Sequence, residues 1–341
     1  MRFLIVRNDK IGDLVLATPA ILTLRANYPD AYIGVLVSEY AEEVIRNNSE
    51  INQTITVKNS KLNISKYYSL FKQIRRENYD VVIVLYPSFI ICLLLFLAGI
   101  KRRISHGNKW YVYLFCNEIL IQHRSRVEKH EADYNIDLVR VVGGIRKIIR
   151  ETKIAIDTRE LELTRKRLSA EGIDRYFVFH CGSGGSARNW GEINYALLAD
   201  MVIGELKFPV IFTGRGSDRE RIQNILNYMK NKAVYLETNT IRELTALIAM
   251  SLAFVGPSTG PLHIANALNI PVLGIYSPVR VQSEKRWGPY NTGRAMVISP
   301  DVSCPARYSC LYQKCRYYDC MDTIKPETVF KHFRNLVGRL E

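Results

Sequence analysis

The sequence predicts an α/β protein made of two doubly wound units. Three observations carry that expectation. Short β-branched runs alternate with helical patterns, the alternation restarts near residue 150, and the segments after several strands are rich in Gly, Ser and Thr. A chain of 341 residues is long for one core and suits about two domains. With 48% hydrophobic and 23% charged residues it is an ordinary globular chain, which excludes a disordered one.

In chain order, RFLIV (2–6), YIGVLVS (32–38), TITV (54–57) and VVIVLY (81–86) read as strands. AILTLRANY (20–28), EEVIRNN (42–48) and YYSLFKQIRREN (67–78) read as the helices between them. TKIAID (152–157) and the charged helix RELELTRKRLSAEG (159–172) open the second unit. YFVFHC, PVIFTG, AVYLE, LAFVG and PVLGIYS follow as strands, separated by helical patterns. The expected division is a first domain over 1–150 and a second over 151–325. The last helix, within 326–341, is free to pack anywhere, including back on the first domain.

Met1 leads directly into RFLIV and then the charged RNDK, too short for a signal-peptide core, so a cytoplasmic protein is expected. YDVVIVLYPSFIICLLLFLAGIKRR (79–103) is nominally long enough to span a bilayer. Pro87 divides it into a β-branched half and a short helical half, which makes a strand and crossover helix with a sticky outer face the better reading. The formal charge of +14 favours polyanionic partners without choosing among nucleic acid, anionic membrane, phosphorylated glycolipid or nucleotide.

Two doubly wound units are expected to face each other across a cleft, with ligands at the carboxyl ends of strands. Four loops there carry unusual chemistry. In VRNDKIGDLVLATPA (6–20), Asp13 is either a helix cap or dipole partner or a general base. FHCGSGGSARNWGE (179–192) offers accessible amides, hydroxyls and Arg188, which a phosphate cradle needs and a flexible loop also has. In FTGRGSDRER (212–221), Asp218 or Glu220 serves a ribose or simply the first turn of a surface helix. VGPSTGPLHIANAL (255–268) places Ser258, Thr259 and Gly260 at a strand end and His263 in the first turn of the next helix.

These four motifs, in this order and at these approximate spacings, resemble glycosyltransferase family 9, the ADP-heptose:lipopolysaccharide heptosyltransferase family. HEADYNIDLVRVVGG (130–144) resembles the segment that ends the family's first domain, so the likeness spans nearly the whole chain. The resemblance implies a GT-B fold, with the acceptor on the first domain and the nucleotide-sugar on the second. It implies inverting, metal-independent transfer with no cofactor and an ADP-sugar as donor. Carried over by motif, Asp13 is the catalytic base, Ser183 and Gly184 contact phosphate, and Arg188 is a basic residue there. Thr259, Gly260 and His263 form the diphosphate and sugar-proximal loop. The family usually has an acidic residue where this chain has Ser258, which leaves the donor open between heptose and a related sugar.

Cys304, Cys310, Cys315 and Cys320 fall within 17 positions and read as a structural zinc site, as reduced thiols or as disulfides. KRR (101–103) and HRSR (123–126) read as solvated loops or as a surface for phosphorylated glycolipid. The leading expectation is a transferase extending a cell-surface glycan, such as a lipopolysaccharide core, at the cytoplasmic face of the inner membrane as a peripheral protein. A nucleotide-sugar epimerase of GT-B-like fold is one alternative. A non-catalytic nucleic-acid binder is another, but it leaves the phosphate loops unexplained and lacks aromatic-and-basic interleaving, so no nucleic-acid partner is expected.

Overall fold

The computed structural model describes residues 1–58, 64–183 and 188–338. The chain divides into two compact units. One holds 1–124 and 129–155, and the other holds 125–128 and 156–341. Among the described residues each unit contains one six-stranded sheet in which every pairing is parallel.

The first unit runs β1 (Arg2–Arg7), α1 (Ile11–Val15), α2 (Thr18–Asn27), β2 (Tyr32–Ser38), β3 (Gln53–Val57), α3 (Ile64–Arg76), β4 (Val81–Val84), α4 (Phe89–Leu97), β5 (Arg102–His106), α5 (Trp110–Phe115), β6 (Glu118–Leu120) and α6 (Glu131–Arg140). Its strand order is β3-β2-β1-β4-β5-β6. Phe3, Leu4, Ile5 and Val6 of β1 are wholly buried, as a central strand covered on both faces requires. Leu70 and Ile74 of α3, Ile91, Cys92 and Leu95 of α4, and Val112 of α5 join one core cluster. Those three helices therefore cover the same face of the sheet.

The second unit runs α7 (Thr158–Ala170), β7 (Phe177–His180), α8 (Glu192–Leu206), β8 (Val210–Gly214), α9 (Arg219–Tyr228), β9 (Val234–Glu237), α10 (Ile241–Ala249), β10 (Ala253–Pro257), α11 (Gly260–Ala267), β11 (Val272–Ile275), α12 (Glu284–Trp287), β12 (Ala295–Ile298) and α13 (Pro326–Val337). Its order is β12-β11-β10-β7-β8-β9. In each sheet the chain winds outward in one direction and then returns to the centre to wind the other way. The reversal lies between β1 and β4 in the first sheet and between β7 and β10 in the second. Such a switch point leaves a crevice at the carboxyl ends of the two central strands.

Several elements differ from the sequence expectation. EEVIRNN is not an α-helix; Glu39–Val44 forms a 3₁₀ turn. TKIAID joins no ladder. β5, β6 and β12 were hidden, the first two because polar RRISH and three-residue EIL lack an apolar signature. α13 packs on α8 and against β11 and β12 of its own unit. Val329, Phe330, Phe333 and Leu336 recur at helical spacing and complete the second core, where Phe333 meets the rings of Phe177 and Phe179 at 5.1 and 6.2 Å.

Because Phe333 is wholly buried among aromatic rings, Phe333→Ala should destabilise the second unit by about 3–5 kcal/mol. Hydrogen exchange resolved by peptide should show faster opening of 177–180 and 326–337, with the first unit unchanged. Equal loss of protection in both units would contradict the packing.

Candidate functional site

In the first unit the site is built around a buried cation. Arg7 ends β1 and is 2% exposed. Its guanidinium donates to Asp9 at 2.8 Å, to Asp13, to Glu131 at 3.3 Å and to the Asn135 amide oxygen at 3.2 Å. Glu131 and Asn135 lie four apart on α6 and so share a face. Arg124 reaches the same Glu131 oxygen at 2.6 Å. Burial opposes the charge on Arg7, but the carboxylates of Asp9, Asp13 and Glu131 outweigh it and raise its pKa.

Asp13 does not cap a helix. The N-cap of α1 is Lys10, and Asp13 sits in the first turn with its carboxylate turned to Arg7. The Thr18 hydroxyl donates to the Val15 carbonyl at 2.7 Å, and Pro19 lies in the first turn of α2. Asp9, like Arg7 and Glu131, was not foreseen from the sequence. Burial pushes its carboxyl up to about 7; Arg7 pulls against that and Asp13 adds to it. His106, at the end of β5, is lowered to about 3 by burial and then by Arg124, and stays neutral.

The switch-point crevice of this sheet holds a cavity of about 540 Å³. Asn8, Asp9 and Lys10 line it from the loop after β1, Tyr86 from the loop after β4 and Phe89 from the start of α4. The Tyr40 hydroxyl accepts from the Ile11 N–H at 3.2 Å and fixes the edge of the first loop. Polar groups from two loops around a concave space suit a ligand with several hydroxyls.

In the second unit, the loops after β7, β8 and β10 converge at the other switch point. Gly256 permits this, since a Cβ there would lie 2.9 Å from the His180 carbonyl oxygen. A Cβ on Gly182 would lie 2.7 Å from an Asp218 carboxylate oxygen, so the loops after β7 and β8 are also in contact. Asp218 accepts from the Arg215 N–H at 3.0 Å. His180 is buried, and burial lowers its pKa against the pull of Asp218. Ser183 is buried at the end of the described part of its loop, while Gly184 lies outside the described residues.

Thr259 is the N-cap residue of α11, with Gly260 and Pro261 in the first turn. The Thr259 hydroxyl donates to the Pro257 carbonyl at 3.3 Å. His263 is buried one turn into the helix. Ser258 lies at the strand end near the hydroxyl of Tyr276, which donates to the Trp287 carbonyl at 2.7 Å.

Arg188 is held at the Cys-rich segment. Its guanidinium lies 3.6 Å from the Cys310 sulfur and over the Tyr318 ring at 4.7 Å. The end of the loop is held to the Cys-rich segment, and Trp190 anchors it further by donating to the Ile324 carbonyl at 2.9 Å. All seven cysteines are free thiols. Cys304, Cys310, Cys315 and Cys320 line one small cavity, and among the described residues no set of three or more His, Cys, Asp and Glu is placed to hold a metal ion. Of the basic segments, Arg102 pairs with Glu118 at 2.6 Å, Arg103 donates to the Phe115 carbonyl at 2.6 Å, and Arg124 serves Glu131, so Lys101 is the exposed charge of KRR.

Comparison with known proteins agrees with this geometry. The model of glycosyltransferase family 9 (heptosyltransferase) matches residues 67–316. A candidate glycosyltransferase of Haemophilus influenzae is 30% identical over 301 residues, 85% of this chain and 86% of its own length. Lipopolysaccharide heptosyltransferase 2 of Escherichia coli is 26% identical over 293 residues, 82% of this chain and 83% of its own. The structure of the E. coli ADP-heptose lipopolysaccharide heptosyltransferase II superposes with a TM-score of 0.82 at 22% identity, covering 99% of both chains.

The raised pKa of Asp9 has a sign that can be tested. The native state holds a proton that the unfolded chain has lost above its ordinary carboxylate pKa. This group's contribution to stability is therefore fullest below about pH 4 and declines until pH passes about 7. The slope is at most about 1.4 kcal/mol per pH unit. Asp9→Asn should flatten that decline, so that the variant gains on the wild type between acid and mildly alkaline pH. Parallel unfolding midpoints across that range would contradict the assignment.

Proposed function

The chain belongs to glycosyltransferase family 9, with the GT-B fold, and from that premise we propose that it moves a heptose, or a related sugar, from an ADP-activated donor to a lipopolysaccharide-core or similar cell-surface glycan. The relatives named for lipopolysaccharide heptosyl transfer support the donor and acceptor classes. The observation that carries the reading is the convergence of three Gly- and hydroxyl-rich loops at the β7–β10 switch point, since that is where a nucleotide diphosphate meets free amides and a helix N-terminus.

In the proposed division of labour the second unit binds the donor. The amides of the loop after β7, with Ser183 and Gly184, and those at the start of α11, with Thr259 and Gly260, take the diphosphate. Arg188 has five N–H groups, and its contact with Cys310 leaves others for phosphate. Asp218 braces the loop after β7 next to the ribose, and His263 and Ser258 border the sugar. Amides, hydroxyls and a guanidinium stabilise the charge developing on departing ADP, which makes transfer independent of a bound metal and of any other cofactor.

The first unit binds the acceptor beside Asp13. As the acceptor oxygen attacks the anomeric carbon, the bond from that carbon to the diphosphate oxygen breaks on the opposite face. Asp13 takes the hydroxyl proton, and the configuration at the anomeric carbon inverts. Arg7 holds the Asp13 carboxylate in place for this step. No helix among the described residues is long and apolar enough to cross a membrane. We place the enzyme at the cytoplasmic face of the inner membrane as a peripheral protein, where a glycolipid acceptor is accessible.

Two measurements test the proposal. Among ADP-heptose, ADP-glucose, UDP-glucose and GDP-mannose, ADP-heptose should bind tightest without added metal. Asp13→Asn should lower kcat about 10²–10⁴-fold while leaving donor binding unchanged. Preference for another nucleotide would overturn the donor, and full activity of the variant would overturn the base.

A further inference from the structure

The outer faces of α4 and α5 are the most unusual surface of the first unit. α4 reads FIICLLLFL and α5 reads WYVYLF, and neither contains a charge. Their inner faces supply Ile91, Cys92, Leu95 and Val112 to the core. Their outer faces leave Trp110 67% exposed, Leu114 60%, Tyr113 55% and Leu97 54%. The two helices pack on each other, with Cys92 and Cys116 buried in the same core cluster. Phe89 meets Trp110 at 5.9 Å and Phe115 at 5.6 Å, and Phe96 meets Phe115 at 5.8 Å, so the exposed rings form one patch. A contiguous apolar patch of this kind marks an interaction surface.

The charges around it identify the partner. Lys101 follows α4, Lys109 precedes α5, and the adjacent α3 carries Lys66, Lys72, Arg75 and Arg76, all exposed. Over 64–117 the only acids are Glu77 and Asp80, and both are engaged with Arg2. An aromatic and aliphatic face rimmed by cations, on helices too short to span, fits the interface of an anionic bilayer. The patch is also continuous with the acceptor cavity, because Phe89 lines that cavity and packs on Trp110. We propose that α4 and α5 dock the first unit on an anionic phospholipid surface, with Trp110, Tyr113, Leu114 and Leu97 entering the headgroup and upper acyl region. Lys101 and Lys109 then meet lipid phosphate. An acceptor anchored in that membrane presents its sugars directly to the cavity at Asp9 and Tyr86.

The inference deepens the membrane-facing part of the proposed function and rests on it. It is tested with the full chain and vesicles of phosphatidylcholine, with or without phosphatidylglycerol, in a flotation assay. The wild type should float with the anionic vesicles and far less with the neutral ones. Trp110→Glu with Leu114→Glu should reduce binding by at least about tenfold, and Lys101→Ala and Lys109→Ala by roughly fivefold each. These positions are exposed, so thermal unfolding should be unchanged. Wild type that ignores both vesicle types, or a Trp110/Leu114 variant that binds as well, overturns the proposal. So does a lipid-free dimer that the same variant dissociates, because the patch then belongs to a second copy. Transfer to a delipidated acceptor oligosaccharide should be unaffected by Trp110→Glu/Leu114→Glu. Its absence in the wild type would count against the transferase reading, whatever the flotation result.

Discussion

The first unit depends on satisfying one buried guanidinium. A cation at the end of a central parallel strand is tolerated only when carboxylates compensate its lost hydration, because an unpartnered buried charge costs several kcal/mol. Arg7 gathers Asp9 and Asp13 from the segment just after β1 and Glu131 from α6, more than a hundred residues on. The loop after β1 therefore cannot take many conformations. Its two aspartates are fixed by the cation they neutralise, and α6 is fixed by Glu131 and by Asn135, which donates to the Leu16 carbonyl at 3.1 Å as well as accepting from Arg7. The same interaction that stabilises the fold orients the carboxylate assigned to proton transfer.

The pairing has a chemical consequence. A carboxylate held by a guanidinium is a well-oriented base, and orientation contributes to rate. Asp9 complements it. With its carboxyl held near neutrality by burial and by Asp13, Asp9 adjusts the net charge of the cluster within the physiological range. The cavity that Asp9 lines, which we propose takes the acceptor, is thereby coupled to the protonation of the network behind it.

Much of this was legible in the sequence, for physical reasons that differ by element. The central strands were readable because burial on both faces demands unbroken β-branched and aliphatic runs, as in RFLIV and YIGVLVS. Asp13, Thr259 and Gly260 were findable because glycine and hydroxyl residues directly after a strand announce a crevice. Arg7 and Asp9 were not singled out, since a charged RNDK after a strand looks like solvent-facing loop until the topology buries it. Glu131 was equally hidden: its partner lies 124 positions away, and no local spacing reports such a contact. Arg188 was seen as a charge near phosphate, but its contact with Cys310 depends on how the Cys-rich segment returns across the sheet end.

Ser258 shows how a small departure is accommodated. An acid at the end of β10 would need a donor or a sugar hydroxyl to compensate it. Serine instead carries no charge, and near it stands Tyr276, whose phenol is buried and whose pKa burial raises. Tyr276 donates to the Trp287 carbonyl, so the polar groups beside the strand end are neutral ones, and the end of β11 is tied to α12. A neutral pair demands no fixed donor pattern from the ligand, whereas a carboxylate strongly favours a sugar with hydroxyls placed to satisfy it. In the proposed donor site, the position bordering the sugar is thus less exacting than an acidic residue would make it. Donor selectivity in that proposal comes from the remaining contacts, foremost the loop amides and His263, which it assigns to the diphosphate and the volume beside it.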